Sequence, residues 1–236
     1  MTNILFYLML ACTGPAAAHL AIDLTPEYDD SYAAELEPHA PRGLKVSYLS
    51  SVVVQITEDG VYTGSGSGNY FRLGKHRFIL TAAHVVEGVT EIMLIEKGYA
   101  TTQARVIYVD PYSDLAVLIP GERLRYTKAI PFRRDINNQM GEKIYHCGHP
   151  AREGWHISEG LLTGTHTDTL LVSTFAWPGA SGSVIFSEDG RVLGVLSAIR
   201  VDGPFGIPAL VEHIVLAGNI KMLDQETLKE ALRNGP

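Results

Sequence analysis

Three side chains in this sequence could together transfer an acyl group. Residues 177–186, WPGASGSVIF, set Ser181 and Ser183 among small residues. A serine hydroxyl becomes a nucleophile only where a base takes its proton, and an imidazole acts as that base when a partner fixes its tautomer. FILTAAHVV, residues 78–86, offers His84 where an apolar strand runs into two alanines. DPYSDLAVLIP, residues 110–120, offers Asp114 at the opening of another apolar strand, an odd place for a carboxylate unless it is paired or caps a turn. Asp110, just before Pro111, reads as a turn residue. Ser183 has no base assigned to it and reads as structural.

Short strands must bring these groups together. SVVVQIT (51–57) ends at Asp59-Gly60, a hairpin signal, and VYTGSGSGNYF (61–71) follows. RFILTAA (77–83), EIMLIE (91–96), ATTQARVIYV (100–109) and DLAVLIP (114–120) complete a first series. A polar stretch, 121–140, precedes a second series of EKIYHC (142–147), HISEGLLTGT (156–165), TLLVST (169–174), GSVIFSEDG (182–190) and RVLGVLSAI (191–199). Turns recurring at this spacing, with no long helical period before residue 208, predict an all-β chain built as two barrels or one large sandwich. LDQETLKEALRN (223–234) predicts a terminal helix, with Asp224 as cap and apolar residues at 223, 228 and 232. No G-x-S-x-G elbow with a strand-to-helix pattern is present, which argues against an α/β-hydrolase.

Composition narrows the function classes. With 46% hydrophobic and 19% charged residues, the chain is globular rather than disordered. A net charge of −7 and the lack of any basic run argue against nucleic acid as a partner. No segment after the N-terminus is long and apolar enough for a membrane helix. Residues 4–11, ILFYLMLA, suit a signal-peptide core, and Ala16 and Ala18 form an A-x-A-like site before His19, although no Lys or Arg precedes the run. Residues 1–18 are therefore expected to be a cleaved export signal, with a lipoprotein signal around Cys12 as the alternative. Loss of that segment would leave Cys147 without a disulfide partner. Residues 19–45 are acidic and Pro-punctuated and read as an arm or linker.

Taken together these motifs resemble the chymotrypsin-fold serine proteases, most closely the HtrA/Deg-type protease domain. The matching pieces are SVVVQIT with its following Gly-Ser-Gly, FILTAAHVV, VDPYSDLAVL, PGASGS, the GRVLGVLSAI strand pair and GIPALV (206–211). They run in the family's order over about residues 50–215. The resemblance implies two antiparallel β-barrels with the active site between them, spanning 46–125 and 126–218, and a C-terminal helix in 219–236. It implies a serine endopeptidase acting on polypeptides through an acyl-enzyme, with no cofactor and no metal. His84 would be the general base, Asp114 its orienter and Ser181 the nucleophile. The N–H groups of Gly179 and Ser181 would form the oxyanion hole.

Alignment on the nucleophile would put Phe175 near the base of the primary pocket, with Ser197, Ala198 and Ile199 along its wall. No carboxylate is placed there, which argues for small or apolar substrate side chains. His146, His149 and His166 keep a glutamate preference open. Ala180 stands where digestive proteases carry Asp, so activation by insertion of a new N-terminus is not expected. With about twenty residues after the terminal barrel segment, the PDZ domain that often follows in HtrA proteins is not expected. His146 and His149 would point to opposite faces of a strand, a poor arrangement for a metal. The rival to an enzyme is a protease-like scaffold that binds polypeptides without cutting them, and an esterase-like or viral-type processing role on the same fold is a third.

Overall fold

Alternation in SVVVQIT places Val52, Val54 and Ile56 on one face, and all three are buried. The same period organises the rest of the computed structural model, which describes residues 6–9, 36–150, 154–201 and 210–234. Most of 1–18, residues 19–35 and residues 206–209 of GIPALV lie outside the described residues. Its strands are β1 (Phe6–Met9), β2 (Ser51–Glu58), β3 (Val61–Leu73), β4 (His76–Thr81), β5 (Glu91–Ile95), β6 (Thr101–Asp110) and β7 (Leu115–Pro120). These continue with β8 (Ile130–Pro131), β9 (Lys143–Gly148), β10 (His156–Thr165), β11 (Thr169–Thr174), β12 (Val184–Ser187), β13 (Val192–Val201) and β14 (Leu210–Asn219).

Two closed six-stranded antiparallel barrels result. The first runs β2-β5-β6-β7-β4-β3 and closes by pairing β3 with β2, with β8 added in parallel to β3. The second runs β13-β12-β9-β10-β11-β14 and closes by pairing β14 with β13, with β1 added to the free edge of β13. Asp59 and Gly60, at φ 50° and 74°, form the tight first hairpin that the sequence signals. Inside the second barrel lie Ile144, Leu162, Leu170, Val172, Ile185 and Leu196. Alternation along β12 turns Val184 and Phe186 the other way, toward the first barrel's core. There Phe186 meets Phe71 at 6.1 Å between ring centroids, joining a cluster with Phe78 and Phe132.

Helix α1 (Arg42–Ser50) covers residues that the sequence assigns to the end of an acidic arm and the start of the strands. Its buried residues are Gly43, Ser47 and Ser50 rather than an apolar stripe, so no 3.6-residue hydrophobic period announces it. Small size is what the site demands, because a β-carbon on Gly43 would sit 2.1 Å from the Ser187 carbonyl oxygen. Asn69, fully buried on β3, holds the helix in place. Its Nδ2 donates to the Ser47 carbonyl at 3.0 Å and to Ser50 Oγ at 2.8 Å, while its Oδ1 accepts from the Val184 amide at 3.0 Å. One side chain thus ties α1 to both barrels. Asn69→Leu is expected to cost about 2–5 kcal/mol, because it strands a buried amide and a buried carbonyl. A fall in the denaturant midpoint, with unchanged slope, measures it.

A four-residue helix, α2 (Ala83–Val86), follows β4, and α3 (Gln225–Asn234) ends the described chain. Asp224 caps α3 as expected, accepting the Thr227 amide at 2.9 Å, and Leu223, Leu228 and Leu232 are buried against the first barrel. Among the described residues no helix is long and apolar enough to cross a membrane.

Candidate active site

His84 and Asp114 come from the first barrel and Ser181 from the second, and hydrogen bonds join all three. Thr81 ends β4, and the chain turns into α2, where burial of Ala83, Val85 and Val86 leaves His84 facing the cleft. Asp114 immediately precedes β7 and has φ 54°, in the left-handed region that Asp and Asn enter more readily than other side chains. Its Oδ1 accepts the His84 backbone N–H at 2.9 Å and its Oδ2 accepts from His84 Nδ1 at 2.7 Å. A proton on Nδ1 leaves the Nε2 lone pair of the neutral ring aimed at Ser181 Oγ, 2.9 Å away. Asp110 is the turn residue that the sequence suggests, accepting the Tyr112 amide at 3.0 Å and the Ser113 hydroxyl.

Two consecutive turns shape the loop that carries Ser181. The Ala180 amide donates to the Trp177 carbonyl at 2.9 Å, and the Ser183 amide to the Ala180 carbonyl at 3.0 Å. In each turn the third residue is a glycine with positive φ, Gly179 at 101° and Gly182 at 86°, while Pro178 and Ser181 keep negative φ. Both are therefore type II turns, which require Gly or Asn at that position. Gly182 is doubly constrained, since a β-carbon there would lie 2.1 Å from the Ser67 carbonyl oxygen and 2.3 Å from Thr81 Oγ1. Among the described residues, the amides of Gly179 and Ser181 donate to no acceptor. Ser183 is buried with its hydroxyl unpartnered, packed against the site where a Gly148 β-carbon would lie at 2.3 Å.

Ser67 on β3 fastens this loop from the opposite barrel. Its amide donates to the Ser181 carbonyl at 2.6 Å, its hydroxyl donates to the Gly179 carbonyl at 2.8 Å, and the same hydroxyl accepts the His149 amide at 3.0 Å. The serine belongs to the Gly-Ser-Gly motif quoted above, but its role depends on partners more than eighty residues away. Ser67→Ala keeps the backbone link and removes the grip on the Gly179 peptide. We expect kcat to fall by up to about a hundredfold with KM little changed, as for loss of an oxyanion donor's alignment. Steady-state kinetics on a chromogenic peptide would check this, and Ser67→Thr should restore part of the rate.

The residues assigned by alignment to the primary pocket are placed differently from one another. Ser197 donates its hydroxyl to Asp114 Oδ2, so the side chain completes the carboxylate's hydrogen bonds while it also lines, with Ala198, the cavity beside them. Its backbone carbonyl lies 3.3 Å from Ser181 Oγ. Phe175 is 56% exposed and Trp177 46%, so Phe175 is a surface ring and not the floor of an enclosed pocket. Ala198 is buried, and the Ile199 side chain lies outside the described residues. A cavity of about 540 Å³ opens beside His84 and Asp114, lined by Tyr112, His166, Leu171 and Leu216 among others.

His146 and His149 are engaged on separate elements. His146 Nε2 lies 3.2 Å from Thr174 Oγ1, and burial lowers its pKa to about 4. His149 Nε2 lies 3.3 Å from Ser51 Oγ, and burial, helped by the Lys97 and His156 charges, lowers its pKa to about 3. Both rings are therefore neutral near pH 7. Burial raises the Cys147 thiol to about 11, which makes it an inert core group. Among the described residues no cluster of three His, Cys, Asp or Glu side chains could hold a metal.

A family model described as a trypsin-like peptidase domain matches residues 66–195, which is more than half of the chain. The chain belongs to that family. The match spans His84, Asp114 and Ser181. The chain is 25% identical over 173 residues to a probable periplasmic serine endoprotease, DegP-like, of Bartonella henselae, covering 70% of this chain and 34% of the relative. It is 26% identical over 207 residues to the serine protease Do-like HtrA of Bacillus subtilis, covering 73% of this chain and 46% of that one. The chain thus spans about a third to a half of these relatives. The fold matches a serine endoprotease from Yersinia pestis at TM-score 0.63 and 20% identity, covering 82% of this chain and 66% of that one. It matches the HtrA-type protease AlgW, solved with a tripeptide, at TM-score 0.65 and 21% identity, covering 82% and 63%.

Proposed function

We propose that this trypsin-like peptidase domain is a serine endopeptidase that works through an acyl-enzyme. The observation that carries it is the continuous line of hydrogen bonds from Asp114 through His84 to Ser181, at 2.7 and 2.9 Å. As Ser181 Oγ bonds to the peptide carbonyl carbon, its proton passes to His84 Nε2 and the carbonyl electron pair moves onto oxygen. The free amides of Gly179 and Ser181 donate to that oxyanion. Collapse of the adduct breaks the C–N bond, and the departing amine takes the proton from Nε2. Water then repeats the sequence on the acyl-enzyme. Asp114 stays ionised throughout and stabilises the imidazolium.

A polypeptide suits the edge of β13. Its Ala198–Val201 stretch accepts an extended antiparallel segment, β1, with Met9 opposite Ala198 and Phe6 opposite Val201. A substrate backbone paired along that edge would reach Ser197, whose carbonyl neighbours the nucleophile. Small Ala198 and the exposed rings of Phe175 and Trp177 favour apolar side chains at the cleavage site. We place the protein in an exported compartment, supported by the apolar run 4–11 and by the periplasmic naming of the Bartonella relative. A fluorophosphonate probe followed by peptide mapping tests the mechanism. The expected adduct lies on Ser181. If wild-type protein neither forms an adduct nor cleaves casein, it is a binding scaffold instead.

A further inference from the structure

Five basic side chains of this acidic chain converge on one cavity whose lining holds a single carboxylate, Glu122. This cavity, of about 1010 Å³ on the first barrel, is lined by Arg72, Arg77, Arg123, Arg125 and Lys128. Among the described residues, none of the five forms an ion pair. The acidic groups nearby do little to neutralise them. Glu122 stands at the exposed rim. Glu96 lies buried behind the 125–127 segment, its carboxylate accepting the amides of Arg125, Tyr126 and Thr127 at 3.1, 2.7 and 2.8 Å. That clamp fixes the backbone from which Arg125 projects and consumes the negative charge locally.

Polar atoms on the same wall are buried without hydrogen-bond partners. They are the Tyr70 hydroxyl, Arg77 Nε and Thr127 Oγ1, and Tyr70 and Thr127 are only 1% and 5% exposed. Burial raises the Tyr70 pKa, against the opposing pull of the Leu124 amide and of Arg77 and Arg123, so its hydroxyl keeps its proton and can donate. Exposed arginines alone would be solvated and unremarkable. Unpaired charges beside buried donors that no protein acceptor takes up are a different matter, because buried polar groups in folded proteins are generally satisfied.

We propose that this cavity binds a phosphate-class oxyanion, with Arg77 and Arg123 as charged donors and the Tyr70 and Thr127 hydroxyls completing its hydrogen bonds. A tetrahedral, multiply charged group presents acceptors in several directions at once, and guanidinium forks match its oxygen pairs. The remaining volume accommodates the organic part of a phosphate ester. No residue of this cavity lines the one beside His84, so the two sites are separate.

Calorimetric titration of the full chain with inorganic pyrophosphate, at constant ionic strength, tests this. Saturable binding of one ion per chain is expected. Arg77→Gln and the exposed-site variant Arg123→Gln should each weaken it on the order of tenfold to a hundredfold. Flotation with phosphatidylglycerol vesicles, against phosphatidylcholine vesicles, distinguishes the source. Pyrophosphate binding lost in Arg123→Gln supports a soluble ligand, and vesicle binding lost in the same variant supports a lipid headgroup. Absence of saturable binding to both probes overturns the proposal, as does wild-type affinity in Arg123→Gln.

Discussion

Ser181→Ala is expected to lower peptide turnover on the order of 10⁶-fold and to abolish fluorophosphonate labelling, with the melting temperature nearly unchanged. The size follows from chemistry rather than packing. Without Oγ no acyl-enzyme forms, and the amides of Gly179 and Ser181 can only polarise a carbonyl that nothing attacks. The mutation deletes one atom that bonds to His84 Nε2 and leaves both type II turns intact, since neither needs a side chain at 181. Ser183→Ala is the matched control. Its hydroxyl has no partner and no base, so turnover should stay within a few-fold of wild type and stability should hold or rise slightly. Casein hydrolysis and probe labelling of the two variants side by side decide between the serines. Labelling lost in Ser183→Ala but kept in Ser181→Ala would reverse the assignment.

Asp114→Asn should cost about 10⁴ in kcat for a subtler reason. Asp114 Oδ1 takes the His84 amide, and Oδ2 takes both His84 Nδ1–H and the Ser197 hydroxyl. An asparagine has one oxygen for those two acceptor positions. If it keeps the oxygen at the His84 amide, its NH₂ faces Nδ1, the imidazole adopts the other tautomer, and Nε2 presents a proton to Ser181 instead of a lone pair. The base is lost while every residue stays in place. Turnover measured against pH would show part of the rate returning in alkali, as hydroxide or deprotonation replaces the missing base. A profile identical in shape to wild type would argue that Asp114 does not set the tautomer.

Local motifs made much of this site legible. His84, Asp114 and Ser181 each stand in a short recognisable context, and the glycine at 179 announces a turn in its own right. Period-two alternation likewise revealed the strands, and Asp224 with its spaced leucines revealed the last helix. What stayed hidden depends on contacts remote in sequence. Ser67 is an unremarkable serine until Gly179 and His149 arrive beside it, and nothing near Ser197 in the sequence points to the Asp114 carboxylate that its hydroxyl meets. Helix α1 escaped because its buried face is made of glycine and serine, which carry no hydrophobic period. Counting back from the nucleophile located Phe175 along the chain but not the direction of its ring.

The split of the reacting groups between barrels has a consequence for synthesis. A chain emerging from the ribosome completes His84 and Asp114 long before Ser181 exists, and even then the nucleophile loop lacks its final shape until it docks on Ser67. Ser197, which completes the Asp114 carboxylate, arrives later still. On the proposed mechanism the protein therefore cannot cut anything, itself included, while it is being made. Delay is written into the order of its strands.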